Sequence, residues 1–124
     1  MRYLVLLRAA AQASEPPAEL MEAIMKLGAE AGQAGALLDT AGLLPSGAGA
    51  RVDLAGGGLQ VTDGPFTEAK ELISYALYEV RTKAEAVEWT SRFLQLHREL
   101  WPGWEGQADV HKVLGPEDFG PPAS

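Results

Sequence analysis

The sequence contains no cysteine among its 124 residues, which excludes a disulfide framework, a thiolate metal site and a cysteine nucleophile, and suits a reducing compartment. Histidine is nearly absent as well. His97 and His111 are the only two, so any imidazole-based acid, base or metal role rests on one of them. Long apolar runs are missing: the first, Tyr3 to Leu7, is far shorter than the about 7–15 residues of a signal-peptide core or the about 20 of a membrane span. A soluble, cytoplasmic protein is expected, with no membrane partner. Positive charge is scarce and scattered. Ten Lys and Arg stand against seventeen Asp and Glu, a net charge of −7, and Arg2, Arg8, Lys26, Arg51, Lys70, Arg81, Lys83, Arg92, Arg98 and Lys112 form no cluster. Such a surface repels a phosphate backbone, so direct nucleic-acid binding is not expected.

What remains is enough for one domain, which at this size buries roughly two thirds of its unfolded surface without staples. Met1 to Arg8 is strand-like and apolar on both alternating faces, with Tyr3, Val5 and Leu7 opposite Leu4 and Leu6. Ser14-Glu15-Pro16-Pro17 reads as a helix start. The helix is expected to run to about Gln33 on a stripe of Leu20, Ile24, Leu27 and Ala31, with Gly32 and Gly35 where a stop belongs. Strands are predicted over Ala36–Leu44, Arg51–Leu54 and Leu59–Thr62, the last two joined by a Gly56-Gly57-Gly58 hairpin turn, and Pro45 to Gly49 reads as a flexible loop.

Leu72 to Val80 is again apolar on both faces. A second helix follows from Lys83 to Leu100, with Ala86, Thr90, Phe93, His97 and Leu100 along one stripe, and Pro102-Gly103 ends it. Ala108–Leu114 is the last predicted strand. The domain closes near residue 115, and residues 116–124 form a tail ordered only by docking. This order predicts an α+β domain of ferredoxin-like type, an antiparallel sheet with two helices on one face. Two helices cover one side of a sheet whose strands are apolar on both, so a second copy of the chain is expected against the other side.

The run Asp63-Gly64-Pro65-Phe66-Thr67-Glu68-Ala69-Lys70-Glu71 joins turn chemistry, an aromatic anchor and charge between strand-like segments. Pro65 lacks an amide donor and pushes Gly64 toward extended geometry, so the chain turns here. Asp63 has two readings: a cap that accepts amide hydrogens of its own turn, or a carboxylate that orients a ligand or acts as a base. Phe66 reads as a hydrophobic plug, and Glu68, Lys70 and Glu71 as a solvated charged turn. His97 shares an apolar helix stripe and reads as a satisfied residue at the edge of the core. Asp109 and His111 alternate with Val110 and point to one strand face, two groups where a metal site needs more. Tyr3, Arg8, Tyr75 and Tyr78 lie on strands with an uncovered face, where some of their polar ends meet water, partner or ligand. The three glycines at 56–58 are followed by no helix with a lysine and make no phosphate loop, and no cofactor is expected.

The Asp63 to Glu71 run resembles the signature of the DGPF, or YCII-related, domain family. The likeness extends over nearly the whole chain: the opening strand, the motif with its following strand, the aromatic helix, and a tail, Pro116-Glu117-Asp118-Phe119, like that of one subgroup. The resemblance implies a homodimeric α/β barrel and no single reaction. It also implies a first functional reading, an accessory or regulatory domain with a sigma-factor-related protein partner, to which acidic charge would suit a basic surface. The second reading is a small-molecule-binding protein or enzyme with a cleft between the sheets, built around Asp63, Gly64, Pro65 and Phe66 with Arg8, Tyr75 and His97. Some YCII-like proteins are proposed to use a His–Asp pair whose histidine comes early; this chain has none before residue 97, so that pair does not carry over.

Overall fold

The computed structural model describes residues 1–10 and 15–119. Strand β1 (Arg2–Ala9) leads into helix α1 (Ala18–Gln33), strand β2 (Leu37–Gly42), a short 3₁₀ turn at Ser46–Ala48, and strands β3 (Ala50–Ala55) and β4 (Gly58–Asp63). Strand β5 (Glu71–Glu79), helix α2 (Lys83–Leu100), strand β6 (Gly106–Lys112) and a 3₁₀ turn at Pro116–Phe119 complete it. Of the expected helix start, Ser14 lies outside the described residues. Pro17 takes the capping position of α1 without a side-chain cap, whereas Thr82 caps α2 by accepting the Glu85 N–H at 3.2 Å.

The architecture is α+β. Four strands make an antiparallel sheet in the order β2-β5-β1-β6, and β3 and β4 form a separate two-stranded sheet. The main sheet is open, with β2 and β6 at its edges. Strand alternation divides its residues between two faces. Tyr3, Val5 and Leu7 of β1 align with Tyr78, Ala76 and Ser74 of β5 and with Lys112, Val110 and Ala108 of β6. This face is the covered one: Tyr3, Val5, Tyr78, Val80, Ala36 and Ala86 form the buried core, packed by Trp89, Ala108 and Val110. Helix α1 adds Leu20, fully buried, and Ala31; α2 adds Ala86, Thr90 and His97. A small apolar void of about 80 Å³ remains between the layers, lined by Val5, Leu7, Leu27, Ala76 and Phe93 among others.

The opposite face has no helix. Leu4 aligns with Leu77 and His111, and Leu6 with Tyr75 and Asp109, so an apolar centre of Leu4, Leu6, Leu77 and Tyr75 lies open. All four are half-buried rather than buried. Ion pairs ring this centre, Arg2 with Glu79 at 3.3 Å and Arg8 with Asp109 at 3.8 Å.

The excursion between β2 and β5 builds a second structure at one end of the sheet. Gly56 and Gly57 both have positive φ, 59° and 80°, the conformation that a two-residue turn matching strand twist requires. The hairpin that results is exposed along its whole length. Among the described residues no helix is long and apolar enough to cross a membrane. Pro116–Phe119 closes on itself, with Asp118 accepting the Gly115 N–H at 2.8 Å, while Phe119 is exposed; residues 120–124 of the expected tail lie outside the described residues.

Candidate functional site

Where β1 and β2 end and β5 begins, the main sheet meets the base of the hairpin, and the two enclose a cleft of about 580 Å³. Its walls come from three places. Arg8 and Leu72 belong to the open face of the sheet, Leu43 to Ser46 with Ala48 and Gly49 to the connection leaving β2, and Arg51, Phe66, Glu68 and Glu71 to the hairpin and the motif that follows it. A register shift between Leu7 and Arg8 sets Arg8 opposite Leu72 and skips Ile73. Such a bulge bends the strand and re-aims the side chains beside it. The skipped residue is not left idle, since the Ile73 carbonyl accepts the Leu43 N–H at 2.8 Å and holds the connection against the sheet.

The expected flexible loop at Pro45–Gly49 is instead a structural latch. Ser46 Oγ donates to Glu71 Oε1 at 2.6 Å and accepts the Phe66 N–H at 3.0 Å, so one hydroxyl ties the loop to the aromatic residue and to the last carboxylate of the motif. The Gly64 N–H donates to the Gly49 carbonyl at 2.9 Å, and the Gly64–Pro65 bond is cis. Backbone approaches backbone so closely here that a Cβ on Gly64 would fall on the Ser46 carbonyl. Glycine is required by contact, not by a positive φ.

This corrects the role expected of Asp63. It ends β4 opposite Ala50, exposed, without a hydrogen bond to the amides of its own turn, and it does not line the cleft. Ser46, twenty residues before Phe66 in sequence, takes the capping role by accepting the Phe66 N–H. Glu68 and Glu71, read as a solvated turn, are each held by a partner. Arg51 Nη2 donates to Glu68 Oε1 at 2.7 Å, and its guanidinium lies over the Phe66 ring, 4.1 Å from the centroid. Phe66 is thus half-buried beneath a cation, which an aromatic face attracts by its quadrupole. Arg8 is held more loosely, its recorded polar contact being Asp109 at 3.8 Å.

Tyr75 shares the open face with Arg8 but lies outside the cleft, its hydroxyl donating to Asp39 Oδ2 at 2.8 Å. That bond raises the phenol above its ordinary pKa, because losing the proton would set two anions together. His97 is in the other layer altogether. It is buried on α2 between Phe93 and Trp104, with ring centroids 4.7 and 4.4 Å away, and Nδ1–H donates to the Phe93 carbonyl at 2.9 Å. His111 and Asp109 project on the same sheet face, as their spacing predicts, and Asp109 turns to Arg8. Among the described residues no three His, Asp or Glu side chains are grouped to hold a metal ion.

Burial lowers the His97 pKa below its ordinary 6.5, and the hydrogen bond to Phe93 offsets part of that. A histidine whose folded pKa is depressed binds its proton more readily in the unfolded chain, so stability is fullest above the unfolded value and falls as pH drops from about 6.5 toward the folded pKa. Urea unfolding at pH 7.5 and pH 5.5 should show the loss, and His97→Gln should remove much of the difference; an unchanged pH dependence in that variant would assign the loss to other groups.

Sequence reasoning missed Ser46 and Arg51 as site residues. Pro45-Ser46-Gly47 carries only a generic turn signal, and nothing local marks Arg51, whose partners come from beyond the hairpin. Residues 1–93 match the model of the YCII-related domain, and no curated protein matches the chain.

Proposed function

Because this chain belongs to the YCII-related domain family, we propose that it acts as a homodimeric small-molecule-binding protein whose cleft takes a compact ligand with a carboxylate at one end and an apolar body. One observation carries this reading: two guanidinium groups, Arg8 from the sheet and Arg51 from the hairpin, line the same cleft of about 580 Å³ beside Leu43, Leu44, Leu72 and Phe66. Pockets for small ligands have this composition, mostly apolar walls with a few placed polar groups, and fall in the same size range. Arg51 is already neutralised by Glu68. Arg8, with its long contact to Asp109, is the cation with capacity to spare, and a guanidinium recognises a carboxylate through paired N–H donors.

The strand order β2-β5-β1-β6, with a helix after β1 and another after β5, supports the ferredoxin-like form. The uncovered apolar centre of Leu4, Leu6, Tyr75 and Leu77 supports a second copy packed sheet to sheet, in the manner of a dimeric α/β barrel. Arg8 lies on that same face, so the dimer would wall the cleft from water and strengthen its charge interactions.

Calorimetric titration with a series of small aliphatic and aromatic carboxylates tests the proposal. The wild type should bind at least one of them, and Arg8→Gln should weaken it about 10- to 100-fold, the range for unpairing a charge-assisted contact. The circular dichroism spectrum of the variant should match that of the wild type, which separates a loss of binding from a loss of the fold. Equal affinity in both proteins, or no carboxylate bound by the wild type, would overturn the reading and turn the search to a macromolecular partner.

A further inference from the structure

The hairpin is amphipathic the wrong way round for a single chain. Arg51 and Asp53 align with Thr62 and Gln60 on one face, and Val52 and Leu54 with Val61 and Leu59 on the other. Arg51 reaches Glu68 and Phe66 of its own chain, so the polar face is the one turned inward. The apolar face is turned away, and its four side chains are between 63% and 74% exposed. Neither strand hydrogen-bonds to the main sheet. An isolated two-stranded hairpin is marginal in water, and four large apolar side chains side by side on one of its faces gain by being covered.

We infer that the apolar face of β3–β4 seats on a second copy of this chain, as an arm that each protomer of the dimer lays against the other. The inference rests on the sheet-to-sheet dimer proposed above, and the area that dimer needs argues for it. Four strands at about 4.8 Å spacing and some 24 Å of shared length give a footprint of roughly 450–500 Å² per partner, against the about 800 Å² per partner of a stable interface. A two-stranded arm supplies roughly 200 Å², and two-fold symmetry counts it twice on each protomer, once given and once received. With the arms the interface reaches the size of a stable one, and the sheet face alone is smaller. The same contact fixes Arg51. An arm held at its far end by the partner holds its base in place, so each cleft depends on the other protomer for the position of one of its guanidinium groups.

A photo-cross-linking experiment on the full chain tests this. The absence of cysteine makes a single Leu59→Cys variant uniquely labelable, and Val61→Cys provides a second position should the first fold poorly. The variant is labelled with a benzophenone maleimide, refolded together with unlabelled ¹⁵N-enriched wild type, irradiated, and analysed by mass spectrometry alongside light scattering. Cross-links from position 59 to ¹⁵N peptides in a dimeric sample are the expected result. A dimer whose label reaches only its own chain, or nothing, overturns the arm and leaves the dimer standing. A monomer overturns both. Leu54→Ser combined with Leu59→Ser should weaken dimerisation at least 100-fold, and an unchanged dissociation constant would equally overturn the arm.

Discussion

Alanine at Gly64 is expected to lower stability by about 3 kcal/mol, roughly 10 °C in melting temperature for a domain of this size, and to abolish the cleft. The added methyl would fall on the Ser46 carbonyl, which is main chain and cannot rotate aside as the end of a long side chain can. One of the two backbones has to move. The Gly64 N–H then loses the Gly49 carbonyl, and Ser46 Oγ is drawn away from the Phe66 N–H and from Glu71, three hydrogen bonds through one displacement. Gly47→Ala is the matched control, one residue along the same loop with nothing within 4 Å of the new Cβ, and should melt as the wild type does. Thermal melts of both variants decide the matter: equal melting temperatures would mean that the two loops are not held as closely as described.

Leu6→Asp should convert the proposed dimer to a monomer with little harm to the single chain. Leu6 sits between Tyr75 and Asp109 on the uncovered face, so the new carboxylate is hydrated in the monomer and buried in the dimer, beside an existing anion. Burying an unpaired carboxylate costs several kcal/mol. Symmetry places one in each half of the interface. A cost of about 4 kcal/mol is roughly a thousandfold in dissociation constant, enough to leave a monomer at low micromolar concentration. Sedimentation velocity with circular dichroism on the same samples reads both quantities. A variant that stays dimeric would move the interface off this face, and one that unfolds would make Leu6 part of the chain's own core.

Much of the fold was legible because it follows from local rules. Leu20, Leu27 and Ala31 declared a helix and its buried side, and Ala86, Thr90, Phe93 and His97 did the same for the second, down to the reading of His97 as packed into the core edge. The hairpin followed from its glycines, and the open sheet face from Leu4 and Leu6 alternating with Val5 and Leu7. The cleft was only partly legible. Arg8 and Phe66 line it, whereas Asp63 points elsewhere, Tyr75 is occupied with Asp39, and His97 lies behind the sheet. Asp63 was singled out because Asp before Gly-Pro has strong local turn chemistry. Ser46 won that role through a contact that closes only when β2 and β5 pair, a fact of topology that no window of sequence contains. Alternation likewise separates the two faces of β3–β4, but which one turns inward depends on Glu68 and Phe66 waiting beyond the turn.

The pairing of β2 with β5 also separates two kinds of constraint within the chain. The Leu43 N–H reaches the Ile73 carbonyl, so the backbone leaves the main sheet and re-enters it at hydrogen-bonding distance, and an ordinary short turn would join the two strands there. Everything between is an excursion that the buried core does not require. The side chains of the excursion are thus constrained by its own contacts, Ser46 with Phe66 and Arg51 with Glu68, and not by the packing of Tyr3, Val5 and Tyr78, so a substitution at the tip of the hairpin can alter the cleft's rim without disturbing the core.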